Sequence, residues 1–83
     1  DIAPVAPTHF LILPRAHEEN AVALHRSDSQ AMAGIFSLVD SLTSRAGISD
    51  YRLIFNTGAD AGQSVFHAHL HLIAGRPLSW PPG

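Results

Sequence analysis

The chain has 83 residues and a formal net charge of -2, with no cysteine and no basic cluster. This length fits one domain, and we expect a single domain over residues 1–83. The lack of cysteine excludes a disulfide framework and thiolate chemistry, and it fits a reducing cytoplasm. The charge argues against nucleic acid as a polyanionic partner. No apolar run approaches the roughly 20 residues of a membrane-spanning helix, and no signal peptide is visible.

The first third of the chain predicts one short strand between irregular segments. Residues 1–7 contain two prolines and predict an extended loop. The apolar run Thr8–Leu13 predicts a strand, which the following proline stops. The polar segment 15–26 predicts a loop with one turn, so we interpret His17 and His25 as surface residues.

One long amphipathic helix is predicted after this loop. Ser27 and Gln30 form a Ser-x-x-Gln capping box, which marks the start of a helix. Gly47 is suited to the position just after the last helical turn, so we expect the helix to end there. Five apolar side chains recur at helical spacing and predict one apolar stripe, most of which we assign to the core, with part of a dimer surface as the alternative: Met32, Ile35, Phe36, Val39 and Leu42.

The second half of the chain predicts a hairpin with a long loop, followed by an irregular tail. Tyr51–Asn56 is the first strand of the hairpin, and the loop 57–63 joins it to a strand rich in histidine. We interpret Asp60 as a turn residue of that loop. Three prolines prevent regular structure in the tail 77–83. The predicted elements together give an α+β fold, an antiparallel meander sheet with one long helix.

The stretch 63–73, QSVFHAHLHLI, holds three of the six histidines of the chain. Its residues alternate with period two, which predicts a half-buried strand. His67, His69 and His71 fall on one face of that strand, roughly 7 Å from one to the next. The opposite face is apolar and is predicted to contact the core through Phe66, Ala68, Leu70 and Leu72.

The geometry of this histidine face allows three interpretations. It could be the solvated face of an ordinary strand. It could be a zinc site with three imidazole ligands and a water, since no cysteine is available and the carboxylate nearest in sequence, Asp60, lies in the preceding loop. It could be a site of nucleophilic catalysis, in which one imidazole attacks and the others orient it or carry protons.

The loop before the histidines favours the catalytic interpretation. Residues 56–64 contain two glycines and several small polar residues. Glycine-containing turns present backbone N–H groups that can hold a phosphate or another oxyanion. Gln63 and Ser64 add side-chain donors. Oxyanion donors beside an imidazole nucleophile are typical of phosphoryl transfer.

The same stretch resembles the signature of the histidine triad (HIT) family, His-φ-His-φ-His-φ-φ with φ apolar. Residues His67–Ile73 fill all seven positions. The preceding Gly-Gln-Ser-Val, the final Trp-Pro-Pro-Gly at 80–83 and the strand region Ala6–Pro14 are similar to the Hint branch, the histidine triad nucleotide-binding proteins. Histidine at the third triad position, where glutamine would otherwise stand, points away from the galactose-1-phosphate uridylyltransferase branch. The likeness covers nearly the whole chain.

The resemblance implies a role for each histidine of the site. His69, the middle member, is implied as the nucleophile towards the α-phosphorus of a nucleotide, with its far nitrogen held by a backbone carbonyl of its own strand. His67 is implied as an orienting neighbour, and His71 as a contact to a phosphate oxygen or the leaving group. His9 is similar to the separate histidine that pairs with the first triad member. Ser64 is implied to hydrogen-bond the phosphate or to give a proton to the leaving amine.

Further residues match substrate-binding positions of the family. Asp1 is implied to accept hydrogen bonds from the ribose hydroxyls, and Ile2 to touch the base. Asn56 is implied to hold the ribose or phosphate region. Backbone groups of Gly62 and Gln63 are implied to contact the phosphate.

The implied function is hydrolysis of purine nucleoside 5′-phosphoramidates to AMP or GMP and an amine, with aminoacyl-adenylates as related substrates. The resemblance implies no metal and no cofactor, because histidines and backbone donors act on the phosphorus. It also implies a homodimer, in which the two sheets form one layer and Trp80 reaches towards the neighbouring subunit's site to help recognise the leaving group. Two alternatives stand beside it: a non-catalytic nucleotide-binding or scaffold protein, and a zinc hydrolase with three histidine ligands.

The start of the chain bears on the base pocket. The sequence opens at Asp1 without a methionine. Against the Hint pattern, a preceding segment that forms much of the base pocket is absent. We therefore expect the catalytic half of the family's site to be present and much of its base-binding half to be missing.

Overall fold

The computed structural model describes residues 6–83, so the predicted substrate contacts Asp1 and Ile2 lie outside the described residues. Three strands form one antiparallel sheet in the order β1-β3-β2, which confirms the predicted α+β fold. The predicted meander order is wrong for these strands, because β3 lies between β1 and β2. In chain order the elements are β1 (Thr8–Ile12), α1 (Ala21–Ser27), α2 (Ser29–Ala46), β2 (Tyr51–Ile54), a 3-10 turn (Ala59–Ala61) and β3 (Leu70–Ala74). No helix within this part of the chain is long and apolar enough to cross a membrane.

The helix α1 occupies a segment that the sequence predicted as a loop, so that prediction is wrong from residue 21 onward. Asn20 caps this helix, because its side-chain oxygen accepts a hydrogen bond from the backbone N–H of Ala23 at 2.9 Å. Leu24 is fully buried and belongs to the core. A helix of seven residues shows little periodicity in sequence and is stabilised mainly by packing. Burial of Leu24 therefore decides the helical state of this segment.

The start of α2 also differs from the prediction, whereas its end agrees. Ser27 is the last residue of α1, and Asp28 caps α2 by accepting from the N–H of Ala31 at 3.0 Å. The predicted N-cap, Ser27, is therefore wrong by one residue. The next residue, Asp28, takes that position because aspartate is as good an N-cap as serine. Gly47 ends the helix with φ of 67°, in the left-handed conformation that glycine adopts with least strain.

The core lies between the helices and one face of the sheet. Its buried members are Ile12, Leu24, Ile35, Val39, Ala68, Leu70, Leu72 and Ala74. Of the predicted helix stripe, Ile35 and Val39 are buried, while Met32 and Leu42 pack against the edge of the core. Phe36 is 48% exposed, so it is the member of the stripe that lies outside the core. As the neighbour of a buried residue, it is turned by about 100° around the helix and points away.

The strand β3 is shorter than the predicted histidine strand. It begins at Leu70, so only His71 of the triad lies in the sheet, and His67 and His69 precede it. The last residue pair between β1 and β3 joins Ile12 to Leu70, so β1 ends where β3 begins. The residues 63–69, which we call the histidine segment, have no regular secondary structure. Their placement depends on contacts outside the sheet ladder.

The predicted alternation of faces nevertheless continues through this segment. Ala68, Leu70 and Leu72 are buried towards the helices, and the three histidines are half-buried on the other side. Phe66, predicted on the core side, is exposed, so that assignment is wrong. The alternation thus begins in the histidine segment, before β3, although that part of the chain is not a strand.

The face of the sheet that points away from the helices carries the histidines. Paired residues of antiparallel strands point to the same face. The register pairs His9 with Ile73 and Leu11 with His71 on β1, and it pairs Ile54 with His71 on β2. This face therefore combines imidazole rings with apolar neighbours, a mixture suited to a binding site.

Candidate active site

His69 lies just before β3, and the main chain engages one of its ring nitrogens. Its Nδ1 is 2.8 Å from the carbonyl oxygen of His67. A carbonyl oxygen only accepts, so Nδ1 carries a proton and donates it. In the neutral ring Nε2 then holds an unprotonated lone pair. The main chain thus sets the tautomer that a nucleophilic imidazole requires.

His71 lies on β3 beside His69, with the two ring centroids 5.0 Å apart in an edge-to-face arrangement. Partial burial lowers the pKa of His71 below its ordinary value, and the nearby imidazoles of His69 and His9 lower it further when they carry charge. His71 is therefore neutral at neutral pH. In that state one ring nitrogen donates a hydrogen bond and the other accepts one.

The structure pairs His9 with the third member of the triad. The Nε2 of His9 lies 2.9 Å from the Nδ1 of His71, and the ring centroids are 5.1 Å apart. The prediction that His9 pairs with the first member, His67, is therefore wrong. The register of β1 places His9 opposite Ile73, diagonally beside His71, which explains the pairing.

His67 has partners from residues 14–19, which follow β1 and which we call the backing segment. Its Nε2 is 3.0 Å from the carbonyl oxygen of Pro14, and its Nδ1 is 2.8 Å from the Nδ1 of His17. His17 is exposed, as predicted, but its contact with the first triad member was missed. No local sequence pattern could reveal this contact, because 50 residues separate the two histidines.

Gln63 is a buried structural residue, so the prediction of its side chain as a phosphate donor is wrong. The residue is 4% exposed. Its Oε1 accepts from the N–H of Gly58 at 2.8 Å. Its Nε2 donates to the carbonyl oxygens of Glu19 at 2.7 Å and Val65 at 3.2 Å. The amide thus joins the loop before the histidines to the backing segment.

The backbone N–H groups that the resemblance implies as phosphate donors form hydrogen bonds within the 3-10 turn and its flanking residues. The N–H of Gly62 donates to the carbonyl of Ala59, and the N–H of Gln63 donates to the carbonyl of Gly58, both at 3.0 Å. Gly62 has φ of 95°, which a side chain would strain. In this conformation the loop satisfies these donors itself, and their assignment as phosphate contacts stays a prediction.

Two other predicted ligands lie close to the histidine segment. A Cβ placed on Gly62 would lie 3.9 Å from the Nδ2 of Asn56, so the Asn56 amide stands beside the turn. Ser64 is exposed at the start of the histidine segment. Asp60 lies within the 3-10 turn, in agreement with its interpretation as a turn residue.

The tail after β3 has no helix or strand, as predicted, and an arginine of β2 holds it. The Nη2 of Arg52 donates to the carbonyl oxygen of Ser79 at 2.9 Å. The next residue, Trp80, is 83% exposed. The structure therefore does not pack this indole into the histidine cluster of its own chain.

The histidine cluster lacks the arrangement of a metal site. Among residues 6–83, no three or more histidine, cysteine, aspartate or glutamate side chains are placed to hold one metal ion. The engaged ring nitrogens explain this arrangement. Both ring nitrogens of His67 form hydrogen bonds, and so do the Nδ1 atoms of His69 and His71. Within residues 6–83, His69 instead uses only its Nδ1 in a hydrogen bond, and its Nε2 lies beside a neutral histidine.

Comparison with known proteins agrees with this fold. A family model for the HIT domain matches residues 1–78. An uncharacterised HIT-like protein of Synechocystis sp. is 39% identical over 100% of this chain, which covers 74% of that relative. The crystal structure of a HIT family hydrolase from Legionella pneumophila matches with a TM-score of 0.89 and 44% identity, over 100% of this chain and 76% of that one. A HIT family hydrolase from Clostridium thermocellum matches with a TM-score of 0.85 and 40% identity, over 95% and 70% of the two chains. The chain therefore belongs to the HIT domain family.

Proposed function

We propose that this chain carries the active site of a nucleotide-binding hydrolase of the Hint branch that cleaves the P–N bond of purine nucleoside 5′-phosphoramidates. The observation that carries the proposal is the hydrogen bond from the Nδ1 of His69 to the carbonyl oxygen of His67. It leaves the Nε2 lone pair of His69 available, and imidazole is a competent nucleophile in covalent catalysis. The HIT family hydrolases that resemble the chain support hydrolysis as the reaction class.

In the first step the Nε2 of His69 attacks the α-phosphorus, and the P–N bond breaks as the new N–P bond forms. The departing nitrogen needs a proton to leave as a neutral amine. The hydroxyl of Ser64, exposed at the start of the histidine segment, supplies that proton. His71 contacts a phosphoryl oxygen through its Nε2, since its Nδ1 is engaged by His9. The product is a nucleotidyl-histidine.

In the second step water attacks the phosphorus of the nucleotidyl-histidine. The bond between phosphorus and the Nε2 of His69 breaks, and the nucleoside monophosphate leaves. Ser64 recovers a proton from the attacking water, which restores the starting state. Both steps use groups of the chain and water, so the reaction as proposed requires no metal and no cofactor.

The remaining contacts of the proposal concern the nucleoside. Asn56, beside the turn before the histidine segment, holds the ribose or phosphate region. Asp1 and Ile2 contact the ribose and the base. The preference for purines comes from the resemblance to the Hint branch, and AMP and GMP are the expected products.

We also propose that the protein works as a cytoplasmic homodimer of single HIT domains, each with its tail at 77–83. Phe36 and Trp80 support this proposal, because both expose large aromatic side chains that a second copy would cover. In that dimer the two sheets form one layer, and Trp80 reaches towards the site of the partner subunit, where it helps to recognise the leaving group.

Hydrolysis of adenosine 5′-phosphoramidate in the presence of EDTA tests the proposed reaction. We expect AMP release by the unmodified chain and none above background by His69→Ala. The matched control is His25→Ala, which changes an exposed histidine of α1 and should leave turnover intact. Loss of turnover in EDTA, restored by added zinc, would contradict the proposal and favour a zinc hydrolase.

One observation favours a second candidate function, nucleotide binding without turnover. The N–H groups of Gly62 and Gln63 and the Gln63 amide are all engaged within the chain, which leaves fewer donors for a transition-state phosphate. Calorimetric titration with AMP separates the two functions. Binding of AMP by a chain that never releases AMP from the phosphoramidate would favour the non-catalytic function.

A further inference from the structure

We propose that His17 is a positioning residue for the nucleophile. In this proposal the backing segment holds the histidine segment in place, and His17 supplies a side-chain contact to His67. The consequence for turnover rests on the proposed function. The consequence for the protonation of the imidazole rings rests on the hydrogen bonds alone, so the two can be tested separately.

The histidine segment needs such support because no described strand runs beside it. The N–H of Ala68 donates to the carbonyl of Glu18 at 2.7 Å. The buried amide of Gln63 donates to the carbonyl of Glu19, also at 2.7 Å. These contacts fasten both ends of the histidine segment to the backing segment. They replace the ladder that a strand would have provided.

The hydrogen bonds of His67 fix the direction of its contact with His17. The carbonyl oxygen of Pro14 only accepts, so the Nε2 of His67 must donate to it. In a neutral His67 the Nδ1 is then unprotonated and accepts. The Nδ1 of His17, 2.8 Å away, must therefore be the donor. Both ring nitrogens of His67 are satisfied by the backing segment.

This arrangement connects His17 to the nucleophile through one intervening residue. The imidazole of His67 is held at both nitrogens, and the carbonyl oxygen of the same residue accepts the Nδ1 proton of His69. Because the ring of His67 is held at both nitrogens, His67 has little freedom to rotate. Its carbonyl oxygen therefore stays in the position that sets the tautomer of His69. His17 acts through His67, which makes it a positioning residue and not a catalytic one.

Two substitutions of His17 separate the effect of its hydrogen bond from the effect of its size. His17→Leu removes the donor, whereas His17→Asn keeps an amide N–H close to the position of Nδ1. His25→Leu is the matched control, since His25 is an exposed histidine on the neighbouring helix α1. His17 is exposed, so we expect all three variants to fold, which thermal melting checks.

The first readout is turnover of adenosine 5′-phosphoramidate. We expect His17→Leu to lower kcat by about 10- to 100-fold, because a nucleophile shifted within the site loses its attack geometry. KM should stay close to that of the unmodified chain, since the variant leaves the ground-state contacts in place. His17→Asn should recover most of kcat, and His25→Leu should match the unmodified chain. An unchanged kcat in His17→Leu would overturn the proposal.

The second readout is the protonation of the ring nitrogens, seen in long-range proton–nitrogen NMR spectra at a pH where the histidines are neutral. In the unmodified chain and in His17→Asn we expect a proton on Nε2 of His67 and on Nδ1 of His69. In His17→Leu we expect mixed tautomers at both residues. Unchanged tautomers in His17→Leu would overturn the proposal. If the unmodified chain does not hydrolyse the substrate, the proposed function fails, and these spectra still decide the role of His17.

Discussion

The Nε2 of His9 and the Nδ1 of His71 share one hydrogen bond of 2.9 Å across the neighbouring strands β1 and β3. One nitrogen must donate and the other must accept, so the two facing atoms hold a single proton between them. A second proton would place two donors face to face. Partial burial, together with the nearby imidazoles of His69 and His9, lowers the pKa of His71 and keeps it neutral next to His69.

The lowered pKa of His71 predicts that the protein loses stability as the pH falls. A histidine of the unfolded chain takes up its proton near pH 6.5, at about the ordinary pKa of the side chain. Folded His71 takes up its proton at a lower pH. Between the two pKa values the unfolded state binds more protons than the folded state. The stability that neutral His71 contributes above about pH 6.5 is therefore lost as the pH falls through the folded pKa.

We expect this loss in the free energy of unfolding, measured by urea titration between about pH 8 and about pH 5. The comparison is with His71→Asn, whose amide can still donate towards His9 but does not titrate. The unmodified chain should lose stability more steeply than this variant on the acid side. Equal pH dependence in the two proteins would contradict the assignment of the lowered pKa to His71.

The tautomer of His69 predicts a covalent intermediate at its Nε2. Rapid denaturation of the chain during turnover of adenosine 5′-phosphoramidate should trap a peptide that is heavier by one nucleotidyl group. Mass spectrometry should locate that group on His69. His69→Gln should give no adduct, whereas His71→Asn should still form one more slowly, because it retains the nucleophile. An adduct on His67 or His71 would show that the assignment of the nucleophile is wrong.

Because the side-chain amide of Gln63 is buried, we expect a large loss of stability when its nitrogen atom is replaced by oxygen. Gln63→Glu turns the Nε2 donor into an acceptor that faces the carbonyl oxygens of Glu19 and Val65. We expect the free energy of unfolding to fall by about 3 kcal/mol, the scale of losing buried hydrogen bonds and leaving their partners unsatisfied. Gln30→Glu makes the same change at an exposed site and should stay within about 0.5 kcal/mol. Similar effects in both variants would contradict a structural role for Gln63.

The helix α1 predicts a packing effect at Leu24, which is 0% exposed. Leu24→Ala leaves a cavity between α1 and the rest of the core, so we expect a loss of about 2–5 kcal/mol in the free energy of unfolding. Leu38→Ala, at a position of α2 that is 45% exposed, should cost about 1 kcal/mol or less. Chemical denaturation followed by circular dichroism measures both variants. A small effect at Leu24 would mean that α1 does not depend on the core.

Local patterns in the sequence predicted the elements whose cause is local. The apolar run that forms β1 was found because a strand signal and a stopping proline stand next to each other. The end of α2 was found because only glycine readily takes the left-handed conformation of Gly47. The alternation of Ala68, Leu70 and Leu72 with the histidines predicted which side faces the core. Each of these signals lies within a few residues of the feature it specifies.

The sequence by itself therefore determined the α+β class, the long helix and a face with three histidines. Only the tertiary structure decided that α1 is a helix, that His9 stands beside His71, and that the backing segment carries His17 to His67. The physical reason is the same in each case. A short helix depends on burial of Leu24, and a hydrogen bond between residues 50 or more positions apart depends on how the whole chain packs. Periodicity and turn chemistry act locally and contain no information about such contacts.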